Sequence, residues 1–324
     1  MATIAPAGDW QAVLAHKPHS LWADALRRLA RNKAAVTGMT LILFFVFVAL
    51  FADRLAPHPP LTLYPNSSYL PAAWIKQSAT NKTGSAEFLL GTDGIGRDVL
   101  SRLIYGARVS MVTGLAPIAI ILIVGTTIGM ISGYVGGWVD NIIMRITDIF
   151  YAFPDLLLYI ILMATLRDTL LGSWFGGLFL LFIALALVSW VDVARLVRGS
   201  VLSAREKEYV EAARSVGARP GRIMLRHILP NIISPLVVMA AFSIPRMIIV
   251  EAVLGYLGLG LRPTTDPNAY FIASWGSLML EGQSAISAQP WLLLSPALCV
   301  AAVVLSFTFL GDGLRDALDP RMSH

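Results

Sequence analysis

Six apolar runs, near residues 36–55, 109–133, 142–166, 174–191, 232–257 and 291–311, divide this chain. Each is long enough to cross a hydrocarbon core about 30 Å thick, which takes roughly 17 to 25 helical residues. In lipid every backbone N–H and C=O must find its partner inside the spanning structure, so runs of this length fold as helices. The expected fold class is an all-α membrane protein with six transmembrane helices. Only 14% of the residues are charged, against roughly 25% in soluble domains.

The distribution of basic residues sets an orientation. With the N-terminus inside, the inner segments hold Lys17, Arg27, Arg28, Arg31 and Lys33, then Arg195, Arg198, Arg205, Lys207, Arg214, Arg219, Arg222 and Arg226, then Arg315 and Arg321. The outer segments hold Arg54, Lys76, Lys82, Arg97, Arg102, Arg108, Arg167 and Arg262, and Arg145 and Arg246 fall within runs. Fifteen of the 25 basic residues are thus inside, which places both termini in the cytoplasm. The net charge of +5 reads as this asymmetry, and no nucleic-acid partner is expected. The single cysteine, Cys299, sits in an apolar run and excludes a disulfide within the chain.

Residues 1–35 read as a cytoplasmic lead-in without the apolar core of a cleaved leader. From Ser20, a capping residue type, Trp22, Leu26 and Leu29 line one side of a helix and Arg27, Arg28, Arg31 and Lys33 the other. The pattern suits an interfacial helix on a membrane face, or a plain cytosolic lead-in to the first run.

Between the fourth and fifth runs lies a polar, basic island, Glu208 to Asn231. Residues 206–216 are good helix formers, and Gly217 stands where a left-handed cap ends a helix. Tyr209, Val210, Ala213 and Val216 recur at three-and-four spacing, giving a narrow apolar face beside Glu208, Glu211 and Arg214. Such a helix suits docking in another protein's groove; the bland alternative is a solvated helix between membrane spans. The order Glu211-Ala212-Ala213, Gly217, Leu229-Pro230 resembles the coupling motif of the integral membrane subunits of ATP-binding-cassette importers. In the broad motif isoleucine stands at position 227, where this chain has His227 with Ile228 beside it. Arg226 to Asn231 nevertheless resembles the peptide branch of that family.

Three further stretches are similar to permeases of the dipeptide/oligopeptide type: Gly91 to Arg108, Trp275 to Gly282, and the tail Gly311 to Arg321, which resembles the C-type subunit. The resemblance spans residues 20–321. It implies a type I importer permease fold with this layout: residues 36–56 as the first span, 57–108 as an external loop, 109–313 as a five-helix core containing a coupling helix at about 206–217, and 314–324 as a cytoplasmic tail. It also implies that Tyr209, Glu211, Ala212, Ala213, Gly217, Leu229 and Pro230 couple to ATPases, and that Trp275 and Gly276 contact an external binding protein. The implied partners are a B-type permease subunit, two ABC ATPase subunits, an extracytoplasmic substrate-binding protein and membrane lipid. ATP and Mg would be held by the partners, with no cofactor in this chain. The implied location is a bacterial or archaeal cytoplasmic membrane, and the implied mechanism is alternating access.

Four charges inside the runs call for partners. Arg145 and Asp148 lie three residues apart on one helix face, as a structural pair or as part of a substrate path. Arg246, just after Pro245, and Glu251 interrupt the fifth run, and their face is expected to line the path. Similar permeases commonly carry a small or apolar residue near 246, so the arginine departs from the family pattern.

Absences narrow the reading. None of the five lysines follows a glycine, so the chain lacks the Gly-Lys-Ser/Thr loop that would hold ATP phosphates. All five histidines, His16, His19, His58, His227 and His324, lie outside the runs, which leaves a buried metal site without its usual ligands. The chain is therefore expected to be a transport subunit and not an enzyme. An ion-coupled secondary transporter using Arg145, Asp148 and Glu251 is the competing class, although no self-similar halves are visible. Peptides are the implied cargo; nickel chelates, glutathione or oligosaccharides are handled by similar permeases.

Overall fold

The computed structural model describes residues 21–76 and 82–318, and among these the chain is helical, with one isolated bridge between Thr92 and Asp98 in place of any strand. The expectations for residues 1–20, for the Trp22 side chain and for the tail beyond Leu318 fall outside the described residues.

Helix α1 (Leu21–Arg31) is followed at once by α2 (Lys33–Leu50). Asn32 separates them, its side-chain oxygen accepting from the backbone N–H groups of Ala34 and Ala35 at 3.0 and 3.2 Å, which satisfies two of the free donors of α2. Helix α3 (Val99–Val135) runs for 37 residues, about 55 Å at 1.5 Å per residue, well beyond a bilayer core. Its first turns occupy sequence expected to be external loop. The helix starts early because Asp98 caps it, accepting from Ser101 N at 2.9 Å, and because Arg102 on its first turns is buried in ion pairs.

The third run is not one straight span. Helices α4 (Gly137–Ala152) and α5 (Asp155–Leu166) meet at an angle of 82°. Pro154 lacks an N–H and pushes Phe153 into extended backbone (φ −89°, ψ 140°), so the helical ladder cannot continue. Helix α6 (Leu178–Ala204) follows and extends well past the end of the fourth apolar run. The short α7 (Glu208–Ser215) leads through a turn and a π-helical segment, Met224–Ile228, into α8 (Leu229–Tyr256). Helix α9 (Trp275–Gln283) lies within the connection expected to be a loop, and α10 (Trp291–Leu318) carries on through the first residues of the expected tail. Five segments, containing α2, α3, α6, α8 and α10, can each cross a membrane, and the bent α4–α5 pair makes a sixth.

The core forms where α3 packs on α6. Gly125, Gly129 and Gly133 recur every four residues along α3, and a methyl group on Gly129 would lie 2.5 Å from the Ala194 carbonyl oxygen. Small residues at this spacing let two membrane helices approach backbone to backbone. Leu180, Leu181, Ala184, Leu185 and Val193 of α6 are buried around this seam. Segments 57–76, 82–98 and 258–290 gather at one end of the bundle, the loop end, and the 205–228 segment at the other, the basic end.

Candidate functional site

At the basic end, α7 is fixed by half of its apolar stripe. Val210 is 0% and Ala213 8% exposed, packed into the same core as Ile223, Ile228 and Ile232. Tyr209 and Val216, expected on the same face, point outward, with Val216 83% exposed. The stripe is thus divided between the chain's own core and its surface. Glu211 and Ala212 are also exposed. Gly217 ends the helix with φ +77°, a conformation that glycine adopts freely, and Ala218 N closes the cap onto the Ala213 carbonyl at 3.0 Å. Two arginines bind the segment to α3: the Arg214 guanidinium stacks 5.5 Å from the Tyr134 ring, and Arg205 Nη1 donates to the Gly133 carbonyl at 3.1 Å. Tyr209, Ala212, Val216, Gly217, Arg219 and Arg222 border a groove of about 850 Å³.

The π turn accounts for the displaced isoleucine. Such a turn holds one more residue than an α turn, and Ile228, 0% exposed, is the side chain that reaches the core. Leu229 and Pro230 follow as the first two residues of α8, inside one helical stretch from Pro220 to Tyr256, where the proline's missing N–H leaves a carbonyl of the preceding turn without its usual partner.

At the loop end, Trp275 and Gly276 do not form a contact surface. Trp275 is 1% exposed: its ring lies against Gly106 and Phe45, and its indole N–H donates to the Leu103 carbonyl at 3.0 Å. Gly276 packs on Ala252 and Gly255 of α8, with no room for a side chain. These residues seat α9 on the bundle, and the outward side chains of that helix are Leu280, Glu281 and Gln283. Buried Arg102 completes the seat, donating to Asp93 Oδ2 at 2.7 Å and to Glu281 Oε1 at 2.8 Å, while Arg97 reaches the same two carboxylates at 2.7 and 2.9 Å. Sequence reasoning missed this network because Glu281, which closes it, lies more than 170 residues from both arginines.

The charges within the spans pair differently from the sequence expectation. Asp148 bonds Arg195 Nη2 of α6 at 2.6 Å, not Arg145, and the same guanidinium lies 4.1 Å above the Tyr151 ring. A neighbouring helix supplies a partner that also stacks on an aromatic ring, which a residue one turn away cannot do. Arg246 bonds Asp192 Oδ2 at 2.7 Å and also Asp155. Glu251 is 0% exposed and accepts from Ser110 Oγ at 3.3 Å. Five residues turn a helix by roughly 140°, so Arg246 and Glu251 share no face: one is half exposed, the other enclosed. Asp192 escaped notice because it stands just beyond the point where hydropathy falls; α6 continues past it for three more turns. Among the described residues no three His, Cys, Asp or Glu side chains converge as metal ligands.

Residues 125–324 match the model of the family described as binding-protein-dependent transport system inner membrane component, and residues 20–72 match the N-terminal TM domain of oligopeptide transport permease C. The chain is 40% identical over 303 residues to the dipeptide transport system permease protein DppC of Alkalihalophilus pseudofirmus, covering 94% of this chain and 91% of that one. It is 40% identical to the oligopeptide transport system permease protein OppC of Escherichia coli K12 (93% and 92% covered). To the glutathione transport system permease protein GsiD of Pectobacterium atrosepticum it is 36% identical (93% and 91% covered). Among solved structures, an inward-facing MetNI methionine ABC transporter shares the fold, with a TM-score of 0.54 at 18% identity over 68% of this chain and 97% of that one.

Proposed function

The chain belongs to the family of binding-protein-dependent transport system inner membrane components, and from that premise we infer that it is the C-type permease subunit of an importer of short peptides. As a multi-pass inner membrane protein it would form the path together with a related B-type subunit, while two separate ATPase subunits supply the energy. An extracytoplasmic binding protein would deliver cargo to the loop end, and both termini would lie in the cytoplasm with the basic end. Names of the relatives support dipeptides and oligopeptides as cargo.

The observation that carries this reading is the way α7 is held. Val210 and Ala213 anchor it, while Tyr209, Glu211, Ala212 and Val216 remain outside at the edge of an open groove. A helix anchored along one side and bare along the other transmits a push as a rigid piece. ATPases closing on ATP would displace α7, and the arginine contacts with Tyr134 and Gly133 would pass the displacement to α3. Repacking of α3 and α6 would then alternate the open end of the path.

A cysteine at Val216 tests the reading. In the assembled transporter it should form a crosslink to an ATPase subunit that changes in yield with bound ATP. Labelling of that cysteine from outside the cell, or uptake by the chain alone under an ion gradient, would sink the proposal. Competition of labelled dipeptide uptake by glutathione distinguishes the two cargo classes.

A further inference from the structure

Arg246 of α8, Asp192 of α6 and Asp155 of α5 come from three helices and meet at one point. Asp155 and Arg246 stand near the middle of the third and fifth apolar runs and Asp192 one residue past the end of the fourth, so the meeting point lies within the membrane-spanning part of the bundle. Their side chains are nevertheless 46% (Arg246), 38% (Asp155) and 33% (Asp192) exposed. Ionised groups at that depth cannot face acyl chains, where each costs about 2.5–3.5 kcal/mol even on insertion scales.

A second observation falls in the same place. The break between α4 and α5 leaves Phe153 and Pro154 exposed immediately before Asp155. Non-helical backbone at membrane depth persists only where it is covered by protein or lines a water-filled cavity, and discontinuous helices mark cargo sites in other transporters for that reason. A charged cluster beside a backbone break describes a surface that, inside the membrane, faces another protein chain or a water-filled cavity.

The chemistry of that surface is specific. Two carboxylates face one guanidinium, which leaves one negative charge in excess. Each aspartate commits one oxygen to Arg246 and keeps the other as an acceptor. Behind them Tyr159 and Ser189, both buried, share a hydrogen bond of 2.8 Å and add no charge. The nearby Asp148–Arg195 pair is internally neutral.

We propose that Asp155 and Asp192 bind the primary ammonium of the cargo on its way through the path, with Arg246 fixing the two carboxylates in register. The inference rests on the reading of this chain as a peptide importer permease, and names the group by which the permease itself recognises peptide. An ammonium between two carboxylates makes charge-assisted hydrogen bonds that an acetylated amine cannot make.

The test uses the permease–ATPase assembly in nanodiscs, without the binding protein, and compares binding of trialanine with N-acetyl-trialanine. Wild type should hold trialanine at least about tenfold tighter. The Asp155→Asn/Asp192→Asn pair should erase the preference, and Asp192→Glu should keep it. If the double variant does not assemble, Asp155→Asn alone and the wild-type ratio decide. Equal binding of both peptides, binding of neither, or a preference that survives in the asparagine variants overturns the proposal. Peptide import by the complete assembly, measured alongside, separates the two levels. Import without an amine preference at the permease removes only this site, whereas no import of any peptide removes the importer reading beneath it.

Discussion

Arg198 grips Asp140 with two parallel hydrogen bonds, Nε to Oδ1 and Nη2 to Oδ2, each 2.6 Å long. Ser132 donates to the same carboxylate, so one aspartate ties the end of α3, the start of α4 and the basic end of α6 together. Truncation to Asp140→Ala should cost roughly 2 kcal/mol, less than a fully buried pair because Arg198 is partly in water. Thermal unfolding in detergent should show a lower midpoint, and Arg198→Lys should recover only part of the difference because lysine cannot form the fork.

Two glycines of opposite character test the helix seam. Gly129→Val has no space against Ala194 and Val197 and should prevent assembly. Gly199, on α6, meets nothing within 4 Å, so Gly199→Ala should leave stability unchanged or raise it by up to about 1 kcal/mol through helix propensity. Abundance in the membrane and melting of the purified assembly read both outcomes.

Gly217→Pro cannot adopt the positive φ of this cap, since proline is locked near −65°. The expected result is a transporter that assembles but whose ATPase no longer responds to cargo. Gly217→Ala, with open space around the new methyl group, should lose only about 1–2 kcal/mol of local order and keep most coupling. Equal cargo-stimulated ATPase in both variants would show that the cap does not matter for coupling.

Glu211→Arg makes a separate test of the exposed side of α7. It should weaken ATPase association without changing the melting temperature, because the Glu211 side chain is exposed and carries no packing. Pull-down of the ATPase and a melting curve on the same sample check both halves.

Asp53 gives a pH prediction at the loop end. Arg108 donates to its carboxyl at 2.6 Å and Tyr105 at 2.7 Å, and these bonds hold its pKa below the ordinary 3.8. A lowered folded-state pKa means that the contribution is fully present above the unfolded value and fades as pH falls through the folded one. Because Asp53 is largely in water the effect is small, under about 1 kcal/mol. Asp53→Asn should therefore melt slightly below wild type at pH 7, and the gap should begin to narrow only below about pH 3.8, closing as pH falls past the lowered folded-state value.

How much of this was legible in the sequence depends on the range of the interaction. Apolar length located the spans, and Gly217 located the end of α7, because both are local properties of the backbone. The bend at Pro154 was written in the sequence too, but hydropathy averages over it. The Gly125, Gly129, Gly133 spacing was also visible and passed unread beside the stronger polar motif. Pairings such as Arg102 with Glu281, Arg195 with Asp148 and Arg246 with Asp192 depend on which helices become neighbours, and no periodicity reports that. Trp275 looked like a surface residue because its segment is a connection, yet the ring that anchors a connection is the part of it least exposed.

Helix α3 touches α7 through Tyr134 and the α9 seat through the Leu103 carbonyl, positions about 46 Å apart along one axis. Under the proposed coupling, this helix would act as a push-rod between the two ends of the bundle. A stroke applied at one end would then arrive at the other without crossing any loop, and Pro117, midway along it, is the one proline inside the helix at which it would be deflected.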